Sequence, residues 1–391
     1  MSEHRLISSL LRPFYRKGRD AEFRLPGALG NQSRLLCIDP GDLASVSFHM
    51  PLINAIHRQY PGCRMDFLVP ESHASLIVPT GLAKNVILYK EGQLNPWRPA
   101  YAALLKKLGT GNYDMSILMS FEPRPRLELG VLASGAPLRL GPSHADSWPA
   151  VNCELRSEPG DEGYLGDRVV RLAPFLGLEK SRLDARWPLP SEKIRHVAQQ
   201  VHFHKPNPDQ MLIGFDPGVG KSGHVFALEN LEFLVRQLTS QLVCRVLPLG
   251  EPEQKERLDE FGARISQIPV GLSRDTLLDM VLLLTQCDLF LAGNTDFFHL
   301  AVAHGVPCIG LFSAKDEPHW VPGGRDHVRV LRLAQGEKVD VATLMDAVEH
   351  VTRGRAATAS RVIPDPVPGE DGDTEEPSGP DTPSPTSPHG S

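Results

Sequence analysis

Asp288-Leu-Phe-Leu-Ala-Gly-Asn-Thr-Asp-Phe-Phe-His-Leu-Ala-Val-Ala-His-Gly-Val-Pro-Cys-Ile-Gly-Leu-Phe312, continued by Ser313-Ala-Lys-Asp-Glu-Pro-His-Trp-Val-Pro-Gly-Gly324, is the stretch from which the fold is read. Leu289 to Ala292 is a short apolar run closed by Gly293, and Asn294 and Thr295 supply helix-capping side chains. Phe297 to Ala303 then form an apolar helix stopped by Gly305 and Pro307. Cys308 to Phe312 reads as a second buried strand. Strand, capped turn, helix and strand make a βαβ unit. Its helix begins at the carboxyl end of a strand, where unpaired N–H groups face outward as an anion site.

On either side the same alternation continues. Strands are expected at Leu35 to Asp39, Met65 to Val69, Val86 to Tyr89, Met115 to Met119 and Leu138 to Gly141. Helical stretches lie between them near Val46 to Gln59, Ala100 to Leu108 and Arg126 to Ser134. Residues 142 to 160, rich in Pro, Ser, Gly and Asp, read as a surface loop, and a helix from about Tyr164 to Leu176 closes this series. A second series runs through Met211 to Phe215, Leu228 to Gln241, Cys244 to Pro248, Pro252 to Phe261 and Thr276 to Leu284. It continues into the βαβ unit and ends at Val328 to Leu331 and Val341 to Val351. Alternation of this kind implies two parallel sheets with helices on both faces. The divisions expected are an N-terminal basic extension (1–33), a first α/β domain (34–180), a linker around Trp187-Pro188-Leu189-Pro190 (181–192), a second α/β domain (193–354) and a tail (355–391). The tail is rich in Pro, Ser, Thr, Gly and acids with few large apolar residues, a composition that reads as disordered.

Composition narrows the function classes. The chain has 391 residues, 41% hydrophobic and 23% charged, enough for two full cores. The formal net charge of -6 argues against a nucleic-acid partner. The six cysteines form no Cys-x-x-Cys pair and mostly sit in apolar runs, so buried thiols in a reducing, cytoplasmic setting are expected rather than disulfides or a metal site. No run approaches a membrane span. Residues 5–17 place Leu6, Ile7, Leu10, Leu11 and Phe14 at helical spacing among Arg5, Arg12, Arg16 and Lys17. That segment suits either peripheral contact with an anionic inner-membrane face or docking on the protein's own core.

Asn294-Thr295-Asp296-Phe297-Phe298-His299-Leu300-Ala301, then Gly305-Val306-Pro307, then Phe312 and Asp316 with Trp320 and Pro322, resembles in its spacing the signature of glycosyltransferase family 9. The best-known members of that family are ADP-heptose:lipopolysaccharide heptosyltransferases. The resemblance implies a GT-B fold, two doubly wound domains facing across a cleft. It also implies inverting, metal-independent transfer of a sugar such as a heptose from a nucleotide sugar, with an ADP-sugar favoured, to a glycan or glycolipid acceptor such as lipopolysaccharide core. No cofactor is implied. The spacing extends through Trp320-Val321-Pro322, which favours this family over nucleotide-sugar epimerases of related architecture.

At the polar positions the chain departs from the family. Counting back from Pro51 puts Ala44-Ser45 where the family has Gly-Asp, the Asp being its proposed general base. A serine hydroxyl is too weak a base to replace that carboxylate unaided. Asp42 lies three residues earlier, on the same side of a helical turn, and is either a relocated base or the N-cap of the helix beginning near Ser45. Asp39 is a third candidate. After the strand at Met211 to Phe215 comes Asp216-Pro217-Gly218-Val219-Gly220-Lys221-Ser222-Gly223-His224. A P-loop would need glycine at 215, which is Phe215, so that reading fails. Alignment on the downstream helix places His224 at the family's phosphate-contacting Lys, with Lys221 within reach of the same space. In Gly250-Glu251-Pro252-Glu253 an acid near the donor ribose is implied, and Glu253 is taken as that residue. His299 matches the family's His but also suits a packed core position.

Asn294 replaces the family's Asp, and Asp296 replaces the Gly that lets backbone approach the donor diphosphate. A carboxylate about 4 Å from a phosphate costs roughly 1 to 4 kcal/mol per charge pair in a partly solvated site. An Asp at a helix N-terminus stabilises it by about 0.3 to 1 kcal/mol. Asp296 is therefore expected as an internal cap in the place of a phosphate, with Lys315 restoring positive charge. The joint departures also admit a second reading, a relative that keeps the fold for binding or assembly.

Overall fold

A computed structural model describes residues 25, 27, 29–156, 163–204, 207, 210–265, 272–334 and 337–353. The basic segment 5–17 and the tail 355–391 lie outside the described residues. The first sheet holds β1 (Arg34–Ile38), β2 (Arg64–Pro70), β3 (Asn85–Tyr89), β4 (Met115–Leu118), β5 (Leu138–Pro142) and β6 (Cys153–Leu155), all parallel, in the order β3-β2-β1-β4-β5-β6. The second holds β7 (Met211–Asp216), β8 (Cys244–Pro248), β9 (Leu289–Ala292), β10 (Cys308–Ser313) and β11 (Val328–Leu333), also parallel, in the order β11-β10-β9-β7-β8. Both are doubly wound. Their topological switch points, between β1 and β4 and between β9 and β7, are where a sheet of this kind opens a crevice at its strand ends.

The helices in chain order are α1 (Leu43–Gln59), α2 (Pro99–Gly109), α3 (Pro125–Ala133), α4 (Leu165–Val170), α5 (Ser191–His204), α6 (Leu228–Gln241), α7 (Lys255–Ile265), α8 (Leu277–Gln286), α9 (Asp296–His304) and α10 (Val341–Thr352), besides a four-residue turn, Ala74–Ile77. α1 is the axis of the molecule. Every residue from Leu43 to Ile56 is buried, because α1 packs on the first sheet, on α4 and on α9 of the second domain. A helix covered on all sides needs partners for its polar side chains. The Trp187 indole N–H donates to Ser47 Oγ at 3.1 Å, and Asn54 Nδ2 donates to the carbonyls of Asp184 and Arg186 at 2.7 and 2.8 Å. The connecting segment is thus anchored on α1, with Trp187 itself buried.

The expected βαβ unit is present: Thr295 N-caps α9 by accepting the Phe298 N–H, and Gly305 ends the helix at φ 68°, a left-handed conformation suited to glycine. Three expectations need correction. Cys153–Leu155, read as loop, is the edge strand β6, extended by pairing with β5 although its sequence has no alternation to announce it. The helix expected over Tyr164 to Leu176 is only Leu165–Val170 before the chain breaks into turns around Pro174 and Gly177. Helix α5 was missed; its Ile194, Val197 and Val201 at helical spacing pack in the core alongside α8. All six cysteines are free thiols, five buried and Cys153 half-buried. No helix among the described residues is long and apolar enough to cross a membrane.

Candidate active site in the interdomain cleft

The two switch points face each other, and the loops that leave them supply the polar side chains. On the first domain, Asp42 follows β1 and N-caps α1: its Oδ1 accepts the Ser45 N–H at 2.8 Å. On the second, the loop after β7 carries Lys221, pinned by its N–H to the Asn294 carbonyl at 2.7 Å. The Lys221 ammonium lies 3.1 Å from Asp42 Oδ2 and also pairs with Asp296 at the start of α9. Asp296 Oδ1 in turn accepts the Ala44 N–H at 3.2 Å, and the Trp320 ring centroid sits 5.7 Å from Lys221 Nζ. One ammonium therefore ties both domains together. It has three N–H donors, and two are spent on carboxylates.

Two cavities meet at Lys221. The larger, about 600 Å³, opens between the domains and is lined by Asp42, Ser45, Arg124, Lys221, Lys315 and Trp320 among others. The smaller, about 190 Å³, lies within the second domain between Asp216, Glu251, Gln254, Thr295 and Asp296, with Lys221 at its edge. Burial opposes ionisation of Asp296, but the Lys221 charge and hydrogen bonds from Glu251 and Lys221 outweigh it and hold Asp296 below the usual carboxylate range. The partners move the other way: burial, then the hydrogen bond and charge of Asp296, push Glu251 up to about 9, so at neutral pH Glu251 is the proton donor of the pair. Burial likewise raises Asp216 to about 6, although Thr295 and the Gly218 N–H, at 2.7 Å, favour its charged form. Burial alone would discharge Lys221, but Asp296 and Asp42 raise it above its ordinary value and it stays an ammonium.

Behind this surface runs a directed chain of hydrogen bonds. The Asn294 amide donates to Asp316 Oδ1 at 2.8 Å, which leaves its Oδ1 to accept from His299 Nε2 at 2.8 Å. His299 Nδ1 must then be the unprotonated nitrogen, and the Tyr164 hydroxyl, 3.0 Å away, donates to it. Asp316 Oδ2 accepts the Ser313 N–H at 2.7 Å. Burial, aided by Lys221, lowers His299 to about 3, so the ring is neutral, packed among Phe48, Tyr164, Phe298 and Trp320.

Of the residues singled out from sequence, Asp42, Ser45, Lys221 and Lys315 line the larger cavity, and Lys221, Thr295 and Asp296 the smaller one. Gly218 lies beneath the smaller one, where a Cβ would come within 2.7 Å of Asp216 Oδ1 and 2.5 Å of Gln254 Oε1. Asn294 and His299 line neither cavity; Asn294 meets the cleft through its carbonyl, which accepts the Lys221 N–H, and His299 lies in the buried chain behind it. His224 stacks edge-on against Phe226 at 4.5 Å, away from both cavities. Glu253 sits in the turn Pro252–Gln254, exposed, while Glu251, two residues earlier, is the acid that faces the pocket. Asp39, a candidate base, is fully buried and paired with His73. Asp216, Glu251 and His73 were not selected; the only sequence signal for Asp216 was its place before Pro217-Gly218 at a strand end.

Two parallel-sheet domains with a polar cleft at facing switch points define a GT-B protein, the architecture of many sugar transferases. The chain belongs to glycosyltransferase family 9: the family model, described as glycosyltransferase family 9 (heptosyltransferase), matches residues 101–346. It is 28% identical over 308 residues to a Haemophilus influenzae protein named "Putative glycosyltransferase", covering 74% of this chain and 86% of that one. Similar solved structures include the family 9 glycosyl transferase of Veillonella parvula (TM-score 0.63, 14% identity, 82% of this chain and 97% of that one). Two others are E. coli ADP-heptose lps heptosyltransferase II (0.61, 19%, 83% and 99%) and E. coli heptosyltransferase WaaC with ADP-2-deoxy-2-fluoro heptose (0.59, 17%, 81% and 99%).

Proposed function

We propose that the protein transfers a sugar, with inversion, from a nucleotide-sugar donor held by the second domain to an acceptor hydroxyl presented by the first. The observation that carries this reading is the meeting of Asp42 and Lys221, from opposite domains, on the wall of a cavity of about 600 Å³. In the proposed step the acceptor oxygen attacks the anomeric carbon, its proton passes to Asp42, and the bond to the donor phosphate breaks with its electron pair leaving on the phosphate oxygen. The third N–H of Lys221, with Lys315, would balance the charge that develops there. The E. coli structures named above support a heptose from an ADP-sugar as donor, and by extension a cell-envelope glycan such as lipopolysaccharide core as acceptor. The step draws on no metal. An acceptor of that kind would place the protein at the cytoplasmic face of the inner membrane.

The test is transfer from ADP-sugars by the wild type and by Asp42→Asn, an isostere that cannot take the proton. Loss of general-base action lowers turnover by about 10²- to 10⁴-fold with donor affinity kept; full activity of the variant would overturn the assignment.

A second reading, a family member that binds or assembles without transferring sugar, is favoured by one observation. Asp296 already occupies the Lys221 ammonium and the Ala44 N–H, and two further acids line the small cavity. Calorimetry separates the readings: no heat with any ADP- or UDP-sugar at millimolar concentration supports the second.

A further inference from the structure

We propose that His73 is a positioning residue of the cleft: its ring, buried against the Asp39 carboxylate, fixes through Asp39 the turn that presents Asp42 to Lys221. His73 closes the turn Glu71–His73 after β2, 34 positions from Asp39, and no motif links the two. Asp39, the first residue beyond β1, has no exposed surface. Its Oδ2 lies 2.8 Å from His73 Nδ1, its Oδ1 accepts the Gly41 N–H at 2.8 Å, and its carbonyl oxygen accepts the Tyr89 hydroxyl at 2.8 Å. Both carboxylate oxygens and the carbonyl of Asp39 are thus committed to holding residues 39–41, and Asp42 leaves that turn with its own Oδ1 already fixed as the cap of α1. A fully buried carboxylate needs hydrogen-bonding and charged partners to offset its lost hydration. His73 is the adjoining cation.

The carboxyl groups facing His73 are Asp39 from the end of β1 and Asp296 from the start of α9, both charged, and Glu251 from the loop after β8, which keeps its proton up to about pH 9. Tyr89 of β3 touches Asp39 from the other side, and Lys221 lies beyond Asp296. Burial works against the imidazolium, but Asp39 first, then Asp296 and, once it ionises, Glu251, raise it to about 9. The charge is complete at neutral pH and is lost as pH rises through about 9, and the stability it contributes is full below the ordinary histidine value and falls as pH rises to about 9. His73 therefore also offsets the carboxylates that converge where the domains meet.

The link from this turn to turnover rests on Asp42 being the base; the positioning itself does not. Two measurements on the full-length protein need no transfer activity. In ¹⁵N NMR, with His73 assigned by the His73→Gln spectrum, both ring nitrogens should stay protonated to about pH 9; titration near the free-histidine value overturns the proposal. Reductive methylation of Lys221, followed by mass spectrometry, should run several-fold faster in His73→Gln because Asp42 is no longer held against the amine; an unchanged rate also overturns it. The double variant Asp39→Asn/His73→Gln, which keeps hydrogen-bonding groups without charge, guards against a folding failure. It should retain the slow methylation; a rate as fast as that of His73→Gln overturns the proposal. Given transfer activity, His73→Gln should lower kcat on the order of tenfold to a hundredfold with the donor KM within about twofold. A rise in KM with kcat intact would place His73 in donor binding instead.

Discussion

Glu251 and Asp296 share one proton across the small cavity, and that pairing makes stability depend on pH. The folded Glu251 carboxyl, pushed up to about 9, keeps its proton long after the unfolded chain has released it near the ordinary value of about 4.3. The folded state thus binds more protons than the unfolded one across that interval, and stability falls as pH rises through it. Glu251→Gln keeps an N–H donor for Asp296 without the titration. The variant should gain roughly 1 kcal/mol or more over the wild type at pH 8 to 9 and little at pH 5, read from thermal melts across pH; parallel melting curves would refute the shared proton. Asn294 is the second residue whose identity the cleft explains. An Asp there would set two carboxylates 2.8 Å apart, since Asn294 Nδ2 donates to Asp316. Asn294→Asp should cost about 1 to 3 kcal/mol in urea denaturation and raise the pKa of His299, the nearest group able to take up a proton. The family's Asp at this position was visible in the sequence as a departure; its compensation by Asp316 was not, because the two are 22 positions apart.

Elements divide by how local their causes are. α9 was legible because its cap, apolar run and Gly305 stop lie within eleven residues. β6 was not, since three residues become a strand only when β5 offers them a parallel edge. The Thr295 hydroxyl both caps α9 and hydrogen-bonds to Asp216, so Thr295→Ala should lose about 1 kcal/mol for the cap and raise Asp216 further. A ΔTm indistinguishable from zero would show the cap to be replaceable by Asp296. Tyr164→Phe removes the donor to His299 Nδ1 and leaves a buried lone pair, a change of about 1 to 2 kcal/mol measurable by chemical denaturation. His299 illustrates the same division: sequence spacing selected it, but neighbours from two domains made it a neutral core imidazole.

For the whole molecule the question is what holds the domains against each other. Two of the ion pairs that span them differ in environment, and the environments rank them. Arg325 meets Asp167 at 2.6 Å in solvent, with Asp167 half exposed, so Asp167→Asn should change stability by less than about 1 kcal/mol. Lys221 is largely enclosed between Asp42 and Asp296, and Lys221→Met would leave two carboxylates facing each other. The loss should approach the roughly 3 kcal/mol of a broken buried pair, reduced by the solvent that reaches the cleft. Comparable melts of the two variants would remove Lys221 as the clasp. Sequence by itself determined the two doubly wound sheets and the family framework. Capping residues, apolar periodicity and motif spacing act over a dozen positions and survive without knowledge of distant neighbours. Only the tertiary structure decided what the polar positions do. It set Asp42 beside Lys221, paired Asp296 with that ammonium and with the Ala44 N–H, turned Glu251 toward the small cavity and brought His73 to Asp39. Charge and burial at each of those positions are fixed by residues tens to hundreds of positions away, and proton affinities follow the assembled neighbourhood rather than the residue type.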